Sequence, residues 1–445
     1  MKFYKSTYLY FLLPFLIFSC GKDDEPANGS VQINITSFEP SYNEVKITWD
    51  LKRFNNAVVA DLFVFRYSND DDANIRQEII ANLPSNETSF TDKDVPYLKD
   101  VNYIVKANYF IEGLDNNTEY FNVESEEKMF ERDIVKISRI PSHIIRDDTN
   151  KNAYHIMVRS AKITLFKYNM DNNTIEETRE YFNGHLFYDK INISEQNIYL
   201  GTKNGLMYIL DAIDYSEKST FSIPIDDELK SFSLKENEIH YSDNTKWKYF
   251  NIQNNESGKV NNDHTTNFVY SLDLENDKMF LVRKNYSNFF GSLFDITEYN
   301  NLELLHATDF DTNFSSPLDR GILHFKENKT EFISTIFGRV ISLNDLSLKA
   351  ELKDITGKEY LYFNYDNNGK IYGAVQDEKL IHVFDDETYE HINTIETKLY
   401  PIFPLLTTNG ELQSLGRYHR VSYWSYNDGF GLYGSHPNCA IEIFN

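Results

Sequence analysis

Residues 370–390 read KIYGAVQDEKLIHVFDDETYE. Apolar residues alternate with others through Ile371–Val375, a polar Gln-Asp-Glu-Lys break follows, a second apolar run covers Leu380–Phe384, and an acidic cluster closes the segment. Period-two alternation on both sides of a short polar break predicts a β-hairpin, and the cluster of Asp, Glu and Thr predicts a second turn. Six other segments follow the same plan, starting at 153, 197, 238, 278, 331 and 411. Anchored on Tyr154, Ile198, Ile239, Met279, Phe332, Ile371 and Leu412, the successive spacings are 44, 41, 40, 53, 39 and 41 residues. Each anchor is preceded by another apolar run ending in a polar turn, such as SFSLKEN at 231–237 or YFNYDNNG at 362–369. Each repeat therefore holds four strands: an inner one, the hairpin pair, and an outer one after the acidic turn.

A β period near forty residues is the signature of propeller blades, four-stranded sheets set around a channel. The pattern resembles WD40/YVTN-like β-propellers, which implies a ring over residues 126–445. Seven repeats predict seven blades; the 53-residue step and the divergent first and last repeats leave six or eight open. Two segments compete to be the outermost strand of the last blade, AIEIF at 440–444 and DIVKISRI at 133–140. Composition agrees with an all-β chain: aromatic residues reach 15%, almost all Tyr and Phe, which suit a pleated, half-buried surface.

Ahead of the repeats, residues 31–125 predict a smaller β-sandwich with strands in VQINITSF, EVKITWDL, ADLFVFRYS and VNYIVKANYF. With Trp49 on the second strand and Tyr103 near the start of a late one, the segment resembles a fibronectin type III module. That resemblance implies a corner role for Tyr103. SNDDDAN at 68–74 lacks the spaced ligands and glycine of a calcium loop and reads as a solvated turn.

The first nineteen residues carry Lys2 and Lys5, an apolar stretch from Leu9 to Phe18, and a small Ser19. Such a stretch is too short to span a bilayer and reads as a cleaved signal peptide. Ile17-Phe18-Ser19-Cys20 resembles the bacterial lipobox, which implies a lipidated Cys20 and a flexible tether over 20–30. Gly21-Lys22-Asp23-Asp24-Glu25 is similar to the export signal of Bacteroidetes surface lipoproteins, which implies an outer-membrane, lipid-anchored and outward-facing protein. Only Cys439 then remains as a thiol, so the body has no internal disulfide and must be held by its core.

With 68 acidic against 44 basic residues the net charge is −24, which excludes a nucleic-acid partner. The basic residues nevertheless cluster in the second-to-third strand turns: Lys162, Lys203, Lys246, Arg283, Lys284, Arg339, Lys379, Arg417 and Arg420. Those turns share one face of a propeller, so two explanations stand: inherited turn chemistry, or a basic rim that attracts an anionic partner. Trp247, Tyr286, Phe289 and Tyr418 lie beside these cations and are candidates for recognition, although most aromatics of so aromatic a chain belong to the core. There is no G-x-S-x-G, H-E-x-x-H or phosphate loop, and no metal or cofactor is expected. His419 is the residue to weigh as a general base; the pairs Asp226-Asp227 and Asp385-Asp386 read as turn residues. The sequence thus predicts a binding or assembly module for a protein or acidic glycan at the cell envelope. The alternatives are a propeller lyase or hydrolase acting on a polysaccharide, and a structural subunit of an outer-membrane complex.

Overall fold

The computed structural model describes residues 29–70, 77–113, 119–182, 187–243, 247–259, 268–274, 278–285, 288–296, 302–309, 323–420, 422–426, 429–433 and 439–444. Cys20 and its flanking signals lie outside them. The chain divides into two compact units. One takes Ile75–Val95 and Asp100–Phe130 with the chain up to Asn69, and the other takes Glu131–Asn445 with Asp70–Asn74 and Pro96–Lys99.

The first unit is two antiparallel sheets. Strands Ser30–Pro40, Val45–Phe54 and Ser89–Asp92 form one; Glu78–Leu83, Ala57–Tyr67, Asp100–Ile111 and Phe121–Glu124 form the other, with Lys128–Glu131 also paired to Asp100–Ile111. Trp49 is buried and its indole N–H donates to the Glu87 carbonyl at 3.1 Å. The buried Tyr103 hydroxyl donates not to a carbonyl but to Asp92 Oδ2 at 2.9 Å, an oxygen that also accepts from Arg66 Nη1 at 2.8 Å. A charged, three-membered junction therefore stands where a corner tyrosine would meet backbone.

In the second unit the strands form seven four-stranded antiparallel sheets, six of them in chain order from inner to outer. Blade 1 is His143–Arg146, Ala153–Arg159, Lys162–Asn169 and Thr174–Phe182; blade 2 is Phe187–Ser194, Asn197–Thr202, Leu206–Asp211 and Glu217–Ser222. Blade 3 is Ser231–Lys235, Glu238–Ser242, Trp247–Asn251 and Ser257–Lys259; blade 4 is Phe268–Asp273, Lys278–Asn285, Asn288–Ile296 and Leu302–Asp309. Leu323–Phe325, Glu331–Ser334, Arg339–Ser342 and Leu348–Glu351 make blade 5, and Tyr360–Tyr365, Lys370–Val375, Leu380–Asp385 and His391–Glu396 make blade 6. All seven anchor residues fall on second strands.

Blade 7 corrects the sequence expectation. Its first two strands are Tyr400–Leu406 and Leu412–Arg417, but its third is Cys439–Ile443 and its outermost is Val135–Ile137. Both competing segments are used, in different places. The apolar run after Arg420 does not enter the blade: Ser422–Tyr426 pairs with Gly429–Tyr433 as a separate two-stranded ribbon. A short alternating run with a central turn satisfies itself as a hairpin, so it mimics the blade's third strand in sequence.

The opening hairpin shows how residues set these turns. Asp377 (φ 60°) makes the sharp second-to-third turn, and Gly373 sits where an added Cβ would lie 2.7 Å from the Phe363 ring. At the end of the third strand Asp385 Oδ1 accepts the Glu387 and Thr388 N–H groups, and Tyr389 takes φ 61° with its N–H on the Asp385 carbonyl. The same five-residue turn recurs at Asp211–Tyr215, Asn251–Asn255 and Ser342–Leu346, each with a side-chain oxygen at the first position and a positive φ at the last. Short polar side chains that bond their own backbone stabilise such turns.

Neighbouring blades share their cores face to face. Ile163, Leu165, Ile198 and Leu210 join blades 1 and 2; Met207, Phe232 and Tyr241 join 2 and 3. Phe280 and Phe332 join 4 and 5, Val340 and Phe363 join 5 and 6, and Ile381 and Leu406 join 6 and 7. Tyr168, Leu415, Cys439 and Ile137 share the core of blades 7 and 1, and the Tyr154 hydroxyl donates to the Leu406 carbonyl at 2.9 Å. The ring is closed.

Blades 1 and 2 are also braced by buried polar groups. Asp147 Oδ2 lies 2.9 Å from His155 Nε2 and 3.3 Å from Lys167 Nζ, and His155 Nδ1 lies 2.9 Å from the Tyr215 hydroxyl. Burial works against the charge of Asp147, yet the His155 hydrogen bond and those from Asn150 and Thr149 outweigh it and hold the carboxyl well below the usual carboxylate range.

Two outcomes follow from this architecture. Ile137→Asp puts an unpaired carboxylate into the closing core and should cost on the order of 3 kcal/mol or more. Amide exchange should then accelerate at 439–443 and 412–417 well before it does in blades 2 and 3; uniform acceleration would contradict closure by this strand. Asp147→Asn should cost about 3 kcal/mol at pH 7, because Lys167 keeps its charge without its partner. A depressed carboxyl stabilises above its unfolded pKa of about 3.9 and loses that contribution as pH falls below it. The gap between parent and variant in urea denaturation should therefore be constant above about pH 5 and narrow progressively as pH falls below about 4.

Candidate functional site

The second-to-third strand turns gather on one face of the second unit, and the described cations there are engaged. Lys162 pairs with Glu180 on its own outer strand, Lys203 with Glu228 at 2.8 Å, and Arg339 with Glu351 at 2.7 Å. Lys353–Glu359 at 2.6 Å and Lys358–Glu378 follow in sequence and extend the pattern. Lys379 sits 5.5 Å over the Tyr400 ring, and the Tyr400 side chain also hydrogen-bonds Arg420. This rim alternates in sign. Because such exposed pairs screen each other, the face does not act as a sheet of positive charge.

Two of the predicted recognition residues are corrected. Trp247 is fully buried, since it opens the third strand of blade 3 with its side chain packed inward. Arg417, 1% exposed, ends the second strand of blade 7 opposite Cys439, and burial lowers its pKa. Neither presents a surface to a partner. Tyr418 is half-buried, while His419 and Arg420 are exposed. Lys246 and Tyr286 lie outside the described residues, and Arg283, Lys284 and Phe289 are described only as backbone of blade 4. The carboxylate pairs serve structure: Asp226 holds Lys248 at 2.8 Å, Asp386 holds Lys326 at 2.7 Å, and Asp385 makes its turn.

The opposite face carries a recess of about 570 Å³ bounded by Arg146, Lys151, Glu327, Asn328, Asp366 and Asp386 among others. Its charges are matched too. Lys151 of blade 1 reaches Glu327 of blade 5 at 3.5 Å, across the axis. Beneath it the buried Glu331 accepts from Lys349 at 2.6 Å and from the Tyr389 hydroxyl at 3.0 Å.

Inside the ring lies a second space of about 380 Å³, lined by residues of the inner strands of blades 1 to 6. His143, Asn192, Ser233, His324, Lys329 and Asn364 supply polar atoms, and Phe325 and Tyr362 supply apolar surface. An inner strand pairs on one side only, so its other edge of N–H and C=O groups faces the axis. His324 is 5% exposed; its ring centroid is 3.9 Å from that of Tyr362, and burial lowers its pKa to about 3, so the imidazole is neutral in ordinary buffers. Arg146 spends its guanidinium on the Lys151 and Leu406 carbonyls. Sequence reading missed all of these residues. They come from the inner strands of different blades, scattered along the chain, and no local motif joins them.

Among the described residues, no group of three His, Cys, Asp or Glu side chains could hold a metal ion, and no helix is long and apolar enough to cross a membrane.

No protein-family model and no curated protein matches the chain. Solved structures do. The WD40 repeats of RRP9 superpose with a TM-score of 0.47 at 9% identity, over 70% of this chain and 98% of that one. The structure of U3-55K gives 0.46 at 10% identity, and the β-propeller domain of Cps50 (Swd1) from Myceliophteria thermophila gives 0.46 at 6%, each again over 70% of this chain and 98% of that one.

Proposed function

We propose that this protein is a lipid-anchored module of the cell envelope whose propeller docks a protein partner. In this reading Cys20 holds the chain to the outer membrane, residues 20–30 are the tether, and the fibronectin-like unit is a spacer. The face of the second-to-third turns is the docking surface. The observation that carries the choice of partner is the alternation Lys162–Glu180, Lys203–Glu228, Arg339–Glu351. A polyanion such as an acidic glycan gains from unopposed cations; here Lys162, Lys203 and Arg339 would each have to be taken from a carboxylate already in contact. A protein surface of mixed charge can match both signs at once, which favours register and rejects wrong partners. Buried Trp247 and Arg417 are part of the scaffold in this account.

Two measurements test it. Cys20→Ser should abolish incorporation of labelled palmitate and move the protein from the membrane to the soluble fraction; unchanged partitioning would remove the anchor from the reading. For the docking face, Lys162, Lys203, Arg339 and Lys379 are changed together to Glu, and a second variant changes Glu180, Glu228 and Glu351 to Lys. Quantitative capture from native envelopes should show one protein lost at least tenfold from both variants. Loss from the first variant only, together with salt-sensitive retention of the parent on acidic polysaccharide beads, would return the glycan reading.

A further inference from the structure

We infer that the space inside the ring is a binding site for a single neutral sugar ring of hexose size. The inference is independent of the docking face: it concerns the other side of the disc and the axis.

Size comes first. About 380 Å³ lies at the lower end of small-molecule sites, large enough for one six-membered ring and too small for an oligosaccharide or a folded peptide segment. The recess of about 570 Å³ shares Arg146, Phe325 and Asn364 with it, so the space has an approach from the first-to-second turn face.

Charge comes second. No Asp or Glu lines the inner space among the described residues. The one guanidinium there already serves two carbonyls. A cation would meet no counter-charge; the two cations of the lining, Arg146 and Lys329, both already have partners, so neither is held open for an anion.

Hydrogen-bond capacity comes third, and it is unbalanced in a specific direction. Asn192 turns its amide nitrogen to the Phe232 carbonyl at 3.3 Å and Asn364 turns its own to the Pro404 carbonyl at 2.9 Å. Both therefore keep the amide oxygen as their acceptor. Ser233 is 4% exposed, and its hydroxyl has no hydrogen-bond partner among the described residues. Leaving a buried hydroxyl unsatisfied costs free energy, so a native fold that keeps one calls for an explanation. The two amide oxygens and the Ser233 hydroxyl together offer acceptors and a donor at several points of the wall. A ligand bearing several O–H groups answers all of them. The aromatic wall completes the match, because a sugar ring is polar at its rim and apolar on its faces. Phe325, half-buried at the wall, offers such a flat surface, while Phe363 is packed in the core between blades 5 and 6 and Tyr362 is wedged between the His324 and Phe403 rings at centroid distances of 3.9 and 4.3 Å.

The test uses the full folded protein and five probes: glucose, galactose, mannose, N-acetylglucosamine and glucuronate. Ligand-observed saturation-transfer NMR and calorimetry should find at least one neutral sugar with a Kd below about 5 mM, within reach of about twelve non-hydrogen atoms. Ser233→Ala should weaken it about threefold to tenfold, and Ser233→Leu, which fills the space, should remove binding with the thermal midpoint retained. Should Ser233→Leu fail to fold, the parent alone decides: the His324 ring resonances must shift on titration with the bound sugar. Absence of binding by all four neutral sugars overturns the proposal. So does binding that Ser233→Ala and the His324 resonances do not register, or glucuronate binding tenfold tighter than any neutral sugar.

Discussion

A four-stranded blade has two apolar faces, and neither can be left to water. A ring is the arrangement in which every blade's two faces meet a neighbour, and it exists here only because Val135–Ile137 pairs with Cys439–Ile443. The two partners are about 300 residues apart, so joining them carries a chain-closure cost on the order of 5 kcal/mol. Three residues of pairing would not offset that alone. Ile137, Tyr168, Leu415, Cys439 and Ile441 do, by forming one core in which both ends of the unit are buried. The lone thiol is explained by the same fact. Cys439 is 0% exposed and burial raises its pKa to about 12, so it packs as a small apolar group and not as a nucleophile.

Charge is organised by a second constraint. With 68 carboxylates and 44 cations, a lysine in a turn finds an acid nearby almost wherever it falls. This is why a column of basic turns, regular in sequence, does not become a basic face. The carboxylates are placed in their turn. Asp147, Asp211 and Asp385 begin turns in which their side chains accept N–H groups from the residues just ahead. An acidic balance so spent is compatible with a tightly closed ring, where a balance left to mutual repulsion would oppose it.

The fold was legible because its unit repeats. The anchor column from Tyr154 to Leu412 lies on second strands without exception, and the acidic turns that mark each repeat are structural necessities of the third-to-fourth connection. Blade 7 was misread at one strand because VSYWSY followed by GFGLY has the same alternation as a blade hairpin. Local pattern cannot say whether a hairpin pairs with itself or with a sheet. Trp247 and Arg417 were misread for a related reason: a place beside a turn fixes the side of the disc, but not whether a side chain points outward or between blades. The axial residues left no trace at all. Asn192, Ser233, His324 and Asn364 are ordinary residues at ordinary strand positions, and only closure brings them around one space.

Closure also divides the labour between edge and axis. The outer strands of blades 2 and 6, Glu217–Ser222 and His391–Glu396, are exposed along almost their whole length and carry charges and hydroxyls. They protect an edge that could otherwise pair with another sheet. The inner strands have the same unpaired edge but cannot be defended that way. Seven bulky charges would not fit around one axis, and unpaired ones would each bear a desolvation penalty. Small and neutral polar residues are what such a place accepts, and they are also the groups that read hydroxyls. The geometry that holds the ring shut thus selects the chemistry of its centre. The turn faces, free of that restriction, keep the matched charges that suit a larger partner.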